Sequence, residues 1–257
     1  MKARPVISLL ILWVILSACV KNQIPPIPIE PSTQSSPFTE EPELQNQETS
    51  SPAINVVCPI YYREEFGGTE TSSCWQPSRP LIVVGFDRDK VTSGLTASGL
   101  RLEVDATNTY AYIAYPGNLY TDVVISAEVT STGVNNHAAV LTCRMTDEGW
   151  YEARVSTAGY FSVFRYEYAR DKSGRNPYYD YVLDRPSSAI DMGSEKTNSI
   201  QLACIGDSLI LSINGSEVFN RKVATDFTEP GLIGIGALSF DKVPVTLIFD
   251  GITISQP

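Results

Sequence analysis

From residue 54 onward, apolar and polar residues alternate in short runs that end at Gly, Asn, Asp or Pro. A period of two turns one face of an extended chain toward a core and the other toward water. Ten runs predict strands: Leu100–Val104, Val123–Val129, Ala138–Arg144, Tyr151–Val155, Tyr160–Tyr168, Ile200–Ile205, Leu209–Ile213, Glu217–Phe219, Leu232–Ala237 and Val245–Ile254. No stretch there sustains apolar residues at i, i+3, i+4 and i+7 over three turns, so the pattern predicts no long helix. Ile213-Asn214-Gly215-Ser216 predicts a tight hairpin, because Asn-Gly tolerates the positive φ that a type I′ turn demands at both central positions. Strands with this punctuation predict an all-β fold of two packed antiparallel sheets, or a barrel.

The N-terminal end has a different pattern. Lys2 and Arg4 precede an apolar run from Val6 to Leu16, and small residues Ser17 and Ala18 lead to Cys19. A basic start, a short apolar stretch and a small-residue cleavage point predict a signal peptide over 1–18. Leu16-Ser17-Ala18-Cys19 resembles the lipobox of bacterial lipoproteins. That resemblance implies cleavage before Cys19, acylation of Cys19 and an extracytoplasmic protein anchored to the membrane by lipid. In a cell with two membranes, Val20 in place of Asp after the cysteine implies sorting to the outer one. Residues 19–53 hold Pro25, Pro26, Pro28, Pro31, Pro37, Pro42 and Pro52 among Ser, Thr, Gln and Glu. Such a segment buries too little apolar area to offset ordering entropy, and predicts a disordered linker. The folded domain is then expected at 54–257.

The chain has 257 residues, is 43% hydrophobic and carries a formal charge of −10, which becomes −12 once Lys2 and Arg4 are removed with the leader. The apolar fraction supports a core, and the acidic balance disfavours a nucleic-acid partner. Four cysteines remain after Cys19, and four allow three connectivities. Export to an oxidising space favours the disulfides Cys58–Cys74 and Cys143–Cys204 over buried thiols.

Several motifs together resemble the concanavalin A-like lectin/glucanase jelly roll, and within it bacterial 3-keto-disaccharide hydrolase domains and laminin-G-like domains. They are Glu65-Phe66 with Trp75, Asp122-Val123-Val124-Ile125, Val140 to Arg144 followed by Gly149-Trp150-Tyr151-Glu152, Leu209 to Gly215, Gly231 to Ile235, and Phe249-Asp250-Gly251-Ile252. Their order spans nearly all of 54–257. The resemblance implies a two-sheet antiparallel sandwich, but such a fold carries lectins, hydrolases and adhesive modules alike.

Catalytic signals are sparse. The only histidine, His137, follows Asn135-Asn136 and is expected in a surface loop. No Gly-x-Ser-x-Gly elbow, phosphate loop or zinc spacing is present, and no cofactor is expected. Asp87 and Asp89 offer two carboxylates for a structural calcium, a set that is more simply solvated. Laminarinase-type glucanases carry Glu-x-Asp-x-x-Glu; here Glu103-Val104-Asp105 begins that pattern, but Asn108 replaces the second Glu. Glu103 and Asp105 therefore fit the exposed side of a strand whose Leu102 and Val104 point inward.

Strand parity supplies a candidate site. If Leu141 and Cys143 face the core, Arg144 faces away, and Trp150, Glu152 and Arg154 share one face of the next strand. Arg144, Trp150, Glu152 and Arg154 then line the concave side of a sheet, where a sugar would meet aromatic and polar groups. The plainer alternative is an Arg–Glu pair supporting the sheet. Residues 171–184 contain Tyr178, Tyr179 and Tyr181, either as the tip of a binding loop or as a hairpin packed on the domain. Three functions remain open: a non-catalytic module binding a glycan or another surface molecule; a glycan or keto-disaccharide hydrolase using Glu152 as acid/base with Arg144 positioning substrate, as the resemblance implies; or a structural part of an envelope complex.

Overall fold

The computed structural model describes residues 57–66, 74–75, 81–84, 88–133, 137–223 and 229–257. The segment expected to be a signal peptide, Cys19, the proline-rich segment and Asp87 lie outside the described residues. In chain order the strands are β1 (Tyr62–Glu64), β2 (Leu81–Val84), β3 (Val91–Thr96), β4 (Gly99–Val104), β5 (Tyr110–Tyr120), β6 (Val123–Gly133), β7 (His137–Met145) and β8 (Gly149–Ser156). They continue with β9 (Tyr160–Glu167), a short helix α1 (Tyr168–Lys172), β10 (Tyr178–Pro186), β11 (Thr197–Ile205), β12 (Ser208–Ile213), β13 (Ser216–Lys222), β14 (Gly231–Ser239) and β15 (Val245–Ser255). All ten predicted strands are present, and β1, β2, β3, β5 and β10 are additional. The segment with Tyr178, Tyr179 and Tyr181 takes the hairpin form, since β10 pairs with β9.

The strands form two antiparallel sheets. One has eight strands, ordered β13-β12-β11-β6-β15-β4-β3, with β1 joined to β15; the other has seven, ordered β10-β9-β8-β7-β14-β5-β2. They pack face to face as a jelly-roll sandwich, with β7 over β11 and β14 over β4 and β15. The core between them takes one parity from each strand: Leu100, Leu102 and Val104, Ile125 and Ala127, Leu141 and Cys143, Ile233 and Ile235, Leu247 and Phe249. Glu103 and Asp105 lie on the opposite parity from Leu102 and Val104, away from the core. The Asn214-Gly215 hairpin joins β12 to β13, with φ of 49° and 78° at its central residues.

Both expected disulfides are formed, with Cα separations of 5.7 Å for Cys58–Cys74 and 6.7 Å for Cys143–Cys204. The second joins β7 to β11 and so ties one sheet to the other. His137 is not a surface residue. It opens β7, is fully buried, and its Nε2 meets the Ser131 hydroxyl. Pairing with Ser239 on β14 already includes His137, so the residue belongs to the strand, with its side chain buried.

Candidate functional site

The seven-stranded sheet has a second apolar cluster on the face away from the main core. Tyr112, Ala114, Val140, Met145, Trp150, Tyr166 and Leu238 are buried there, with Tyr110, Tyr178 and Phe240 packed against them. Parity explains it. Residues 150, 152 and 154 of β8 alternate with Tyr151, Ala153 and Val155, which belong to the main core. On β9, Phe164 and Tyr166 join the outer face while Phe161 and Val163 point inward.

Glu152 is the centre of this cluster and is 0% exposed. Its Oε2 accepts hydrogen bonds from the Tyr112 hydroxyl at 2.9 Å and from Trp150 Nε1 at 2.8 Å. Its Oε1 accepts from Arg154 Nε, and Arg154 Nη2 completes the ion pair. Tyr112 reaches Glu152 from β5, across β14 and β7. The crossing is open because β14 carries glycines on that face: a Cβ at Gly236 would sit 3.1 Å from the Tyr112 ring and 2.5 Å from the Ala111 carbonyl oxygen. Arg154 is held on its flat faces as well, with its guanidinium carbon 4.2 Å from the Phe164 ring centre, 4.4 Å from Tyr178 and 4.9 Å from Tyr110. Trp150 stacks on Tyr166 at 4.0 Å.

The electrostatics agree with this bonding. Burial, reinforced by the Glu152 charge, pushes the Tyr112 phenol well above its ordinary pKa, so it stays a proton donor. Burial and Glu152 also raise Tyr178. Desolvation is the largest influence on Arg154 and works to lower it, but Glu152 together with the Tyr112, Tyr178 and Tyr110 hydroxyls outweighs it and keeps the guanidinium charged. Glu152 thus has each oxygen occupied by charged or neutral donors, which fits a structural anion better than a proton shuttle.

Of the residues picked by parity, Trp150, Glu152, Arg154 and Tyr178 are brought together and Arg144 is not. Arg144 has φ of 51°, which reverses the side-chain direction expected from alternation. It is buried beneath the turns that end β5 and β11, where Nε donates to the Thr121 carbonyl at 2.9 Å and Nη2 to the Gly206 carbonyl at 2.7 Å, with Asp122 at 3.4 Å. Tyr181 packs toward the main core near Tyr151, and Tyr179 lies beside it under Arg165, so neither joins the Glu152 cluster.

Next to Arg154 the outer face opens into a groove of about 120 Å³, lined by Ser156, Tyr160, Ser162, Phe164, Leu183, Asp184 and Phe240, with Ala138 and Leu238 on its floor. Tyr160 is 44% exposed and Leu183 also faces solvent. Tyr160, Ser162, Asp184 and Phe240 were not singled out as site residues from the sequence; the even parity of Tyr160 with Phe164 and Tyr166 was the available signal for the first. A larger depression of about 510 Å³ lies at the β8–β9 end of the fold, among Asp147, Glu148, Arg165, Glu167, Tyr168 and Lys172. Its charges are partly paired, Arg165 with Glu167, and Lys172 lies over the Tyr168 ring at 4.5 Å. Among the described residues no three His, Cys, Asp or Glu side chains are grouped to hold a metal ion, and Asp89 is exposed in a short 3-10 turn.

No protein-family model matches the chain, and a search of curated proteins finds no match. Solved structures do match. The carbohydrate-binding module CBM66 from Bacillus subtilis is 16% identical, with 65% of this chain covering 92% of that one at a TM-score of 0.51. The laminarinase catalytic domain of Thermotoga maritima MSB8 is 9% identical, covering 77% and 98%, at 0.53. The Bacillus licheniformis β-glucanase is 11% identical, covering 77% and 99%, at 0.50. At these identities the likeness establishes the fold, a concanavalin A-like jelly roll, and leaves function to the site.

Proposed function

We propose that this chain is an extracytoplasmic glycan-binding module without catalytic chemistry, held to the membrane through an acylated Cys19. The observation that carries the reading is the groove beside Arg154. The exposed Tyr160 ring and the half-buried Phe240 ring flank polar Ser162 and Asp184. Sugars present apolar C–H faces and rings of hydroxyls, and such a groove offers a partner to each. At about 120 Å³ it is smaller than an enclosed small-molecule site of ~300–1,000 Å³, which fits a surface cleft gripping the edge of one sugar unit. The fold shared with a carbohydrate-binding module and two glucan-cleaving enzymes supports the same ligand class.

The saturated bonding of Glu152 argues against acid/base work. A glycosidase needs two carboxylates flanking the scissile bond, whereas Glu152 is sealed under Tyr112, Trp150 and Arg154, and among the described residues Asp184 is the one carboxylate lining the groove. Two disulfides suit an oxidising compartment outside the cytosol.

A glycan array with the compact unit Pro52–Pro257 tests the binding. A hit whose affinity drops about fivefold or more in Tyr160→Ala, with unchanged circular dichroism, is expected, since stacking on an aromatic face is worth ~1 kcal/mol or more. Unchanged affinity would reject the groove. For the anchor, the full chain expressed in a bacterium should incorporate labelled fatty acid, and Cys19→Ser should not.

A further inference from the structure

The charges around the groove are unequal. Among the described residues two charged side chains line it, Arg154 and Asp184. The Arg154 charge is matched at contact distance by Glu152, and its flat faces are covered by Phe164, Tyr178 and Tyr110. A guanidinium so paired offers a ligand carboxylate little net attraction. Asp184 has no such counter-charge among the described residues. It is exposed, and its contacts are with one serine: its backbone N–H donates to Ser162 Oγ at 2.9 Å, and the Ser162 hydroxyl faces its Oδ1 at 3.2 Å.

The backbone explains why this carboxylate stands where it does. Asp184 has φ of 46°, in the left-handed region, within an irregular stretch of β10 where the register shifts between Val182 and Arg185. Asp is among the residues that tolerate this region, but it is still uncommon, and such outliers collect at ligand sites. The irregularity turns Leu183 and Asp184 together toward the groove, whereas Arg185 pairs with Phe161, a residue of the core parity.

We propose that the groove selects uncharged or amine-bearing sugars and rejects carboxylated ones, with Asp184 as the selecting residue. This rests on the glycan-binding reading above and adds the ligand's charge class to it. A carboxylate is an acceptor only, so Asp184 takes hydrogen bonds from sugar hydroxyls or an ammonium group and repels a uronate. With the chain's formal charge of −10 the wider field has the same sign.

The test is calorimetric titration of Pro52–Pro257 with cello- and galacto-oligosaccharides, chitosan oligomers and oligogalacturonates of equal length at low ionic strength. Neutral or amine-bearing oligomers should bind about tenfold or more tighter than the uronate series, the scale of one like-charge contact at the surface of a protein. Asp184→Asn and Asp184→Gly both accept the left-handed backbone, and each should narrow that gap to about threefold or less. Uronates binding as tightly as neutral oligomers, or a gap that survives both substitutions, would overturn the assignment while leaving glycan binding intact. Binding of none of the series would overturn the glycan reading and this one with it.

Discussion

Glu152→Gln separates a structural carboxylate from a catalytic one by its effect on stability. The amide keeps one acceptor oxygen and loses the charge. If that oxygen stays with Trp150 Nε1 and the Tyr112 hydroxyl, the new NH₂ faces the Arg154 donors; if it turns to Arg154, Trp150 Nε1 loses its acceptor. Tyr112 can rotate its hydroxyl to accept, but an indole N–H cannot. In either arrangement Arg154, whose side chain is 11% exposed, keeps a buried charge without its counter-ion. Removing one partner of a buried pair costs about 3–5 kcal/mol. For a domain of this size that corresponds to a fall in Tm of roughly 6–20 °C, at about 2–4 °C per kcal/mol.

The assay is guanidinium unfolding of Pro52–Pro257 followed by tryptophan fluorescence, since Trp150 sits on the carboxylate itself. Arg154→Met should cost a similar amount, because it strands the anion instead. The double variant should cost about 2 kcal/mol or more less than the two single effects combined, since neither buried charge then remains; coupling of this size is typical of directly paired groups. A Glu152→Gln loss below about 1 kcal/mol, or full additivity, would refute the buried-pair account and reopen the residue as an available acid.

Two further outcomes follow from the same structure. Cys143 and Cys204 are 61 residues apart and Cys58 and Cys74 only 16, so replacing the first pair by alanine should lower unfolding free energy by about 4 kcal/mol and the second by about 3 kcal/mol, measured by denaturation of each variant. The phenols of Tyr112 and Tyr178 are raised above their ordinary value by burial and by Glu152, so in the folded state they hold protons that the unfolded chain releases near pH 10. Their contribution is complete below about pH 10 and is lost as pH rises further toward the folded values. Tm should therefore be insensitive to these groups between pH 7 and 9 and fall above 10, and Tyr112→Phe should flatten that fall.

The strands legible in the sequence were those with one wet face. β6 alternates almost perfectly between buried and accessible positions, and so does β12. β5 was missed because residues 111–115 are all buried, the odd positions in the main core and the even ones in the outer aromatic cluster, so no alternation reaches the sequence. β10 was missed for the opposite reason. It is an edge strand with little burial, two register shifts and Pro186 at its end, features that keep an edge from pairing with another chain. Parity placed Trp150, Glu152 and Arg154 correctly because β8 is regular, and failed at Arg144 because a single left-handed residue reverses the count. Gly234 and Gly236 were the missed clue. Glycine inside a strand marks a close approach, and here Thr142 and Met145 crowd Gly234 while the Tyr112 ring and the Ala111 carbonyl crowd Gly236.

The outer cluster also accounts for where the groove lies. A sheet face bearing Tyr112, Val140, Trp150, Phe164 and Tyr166 with no cover would be a broad apolar patch prone to self-association. Glu152 gathers the polar edges of three of its neighbours and Arg154 lies between the rings, so the face closes on itself and stays buried. What remains open is the end of the sheet where β9 and β10 lose regular register, around Tyr160 and Asp184. Side chains fixed in this way lose little freedom when a ligand docks, so a small groove can hold a sugar edge with few contacts. On the glycan-binding reading proposed above, substitutions at Glu152 and at Asp184 should separate: the first should act chiefly on unfolding, the second on ligand choice.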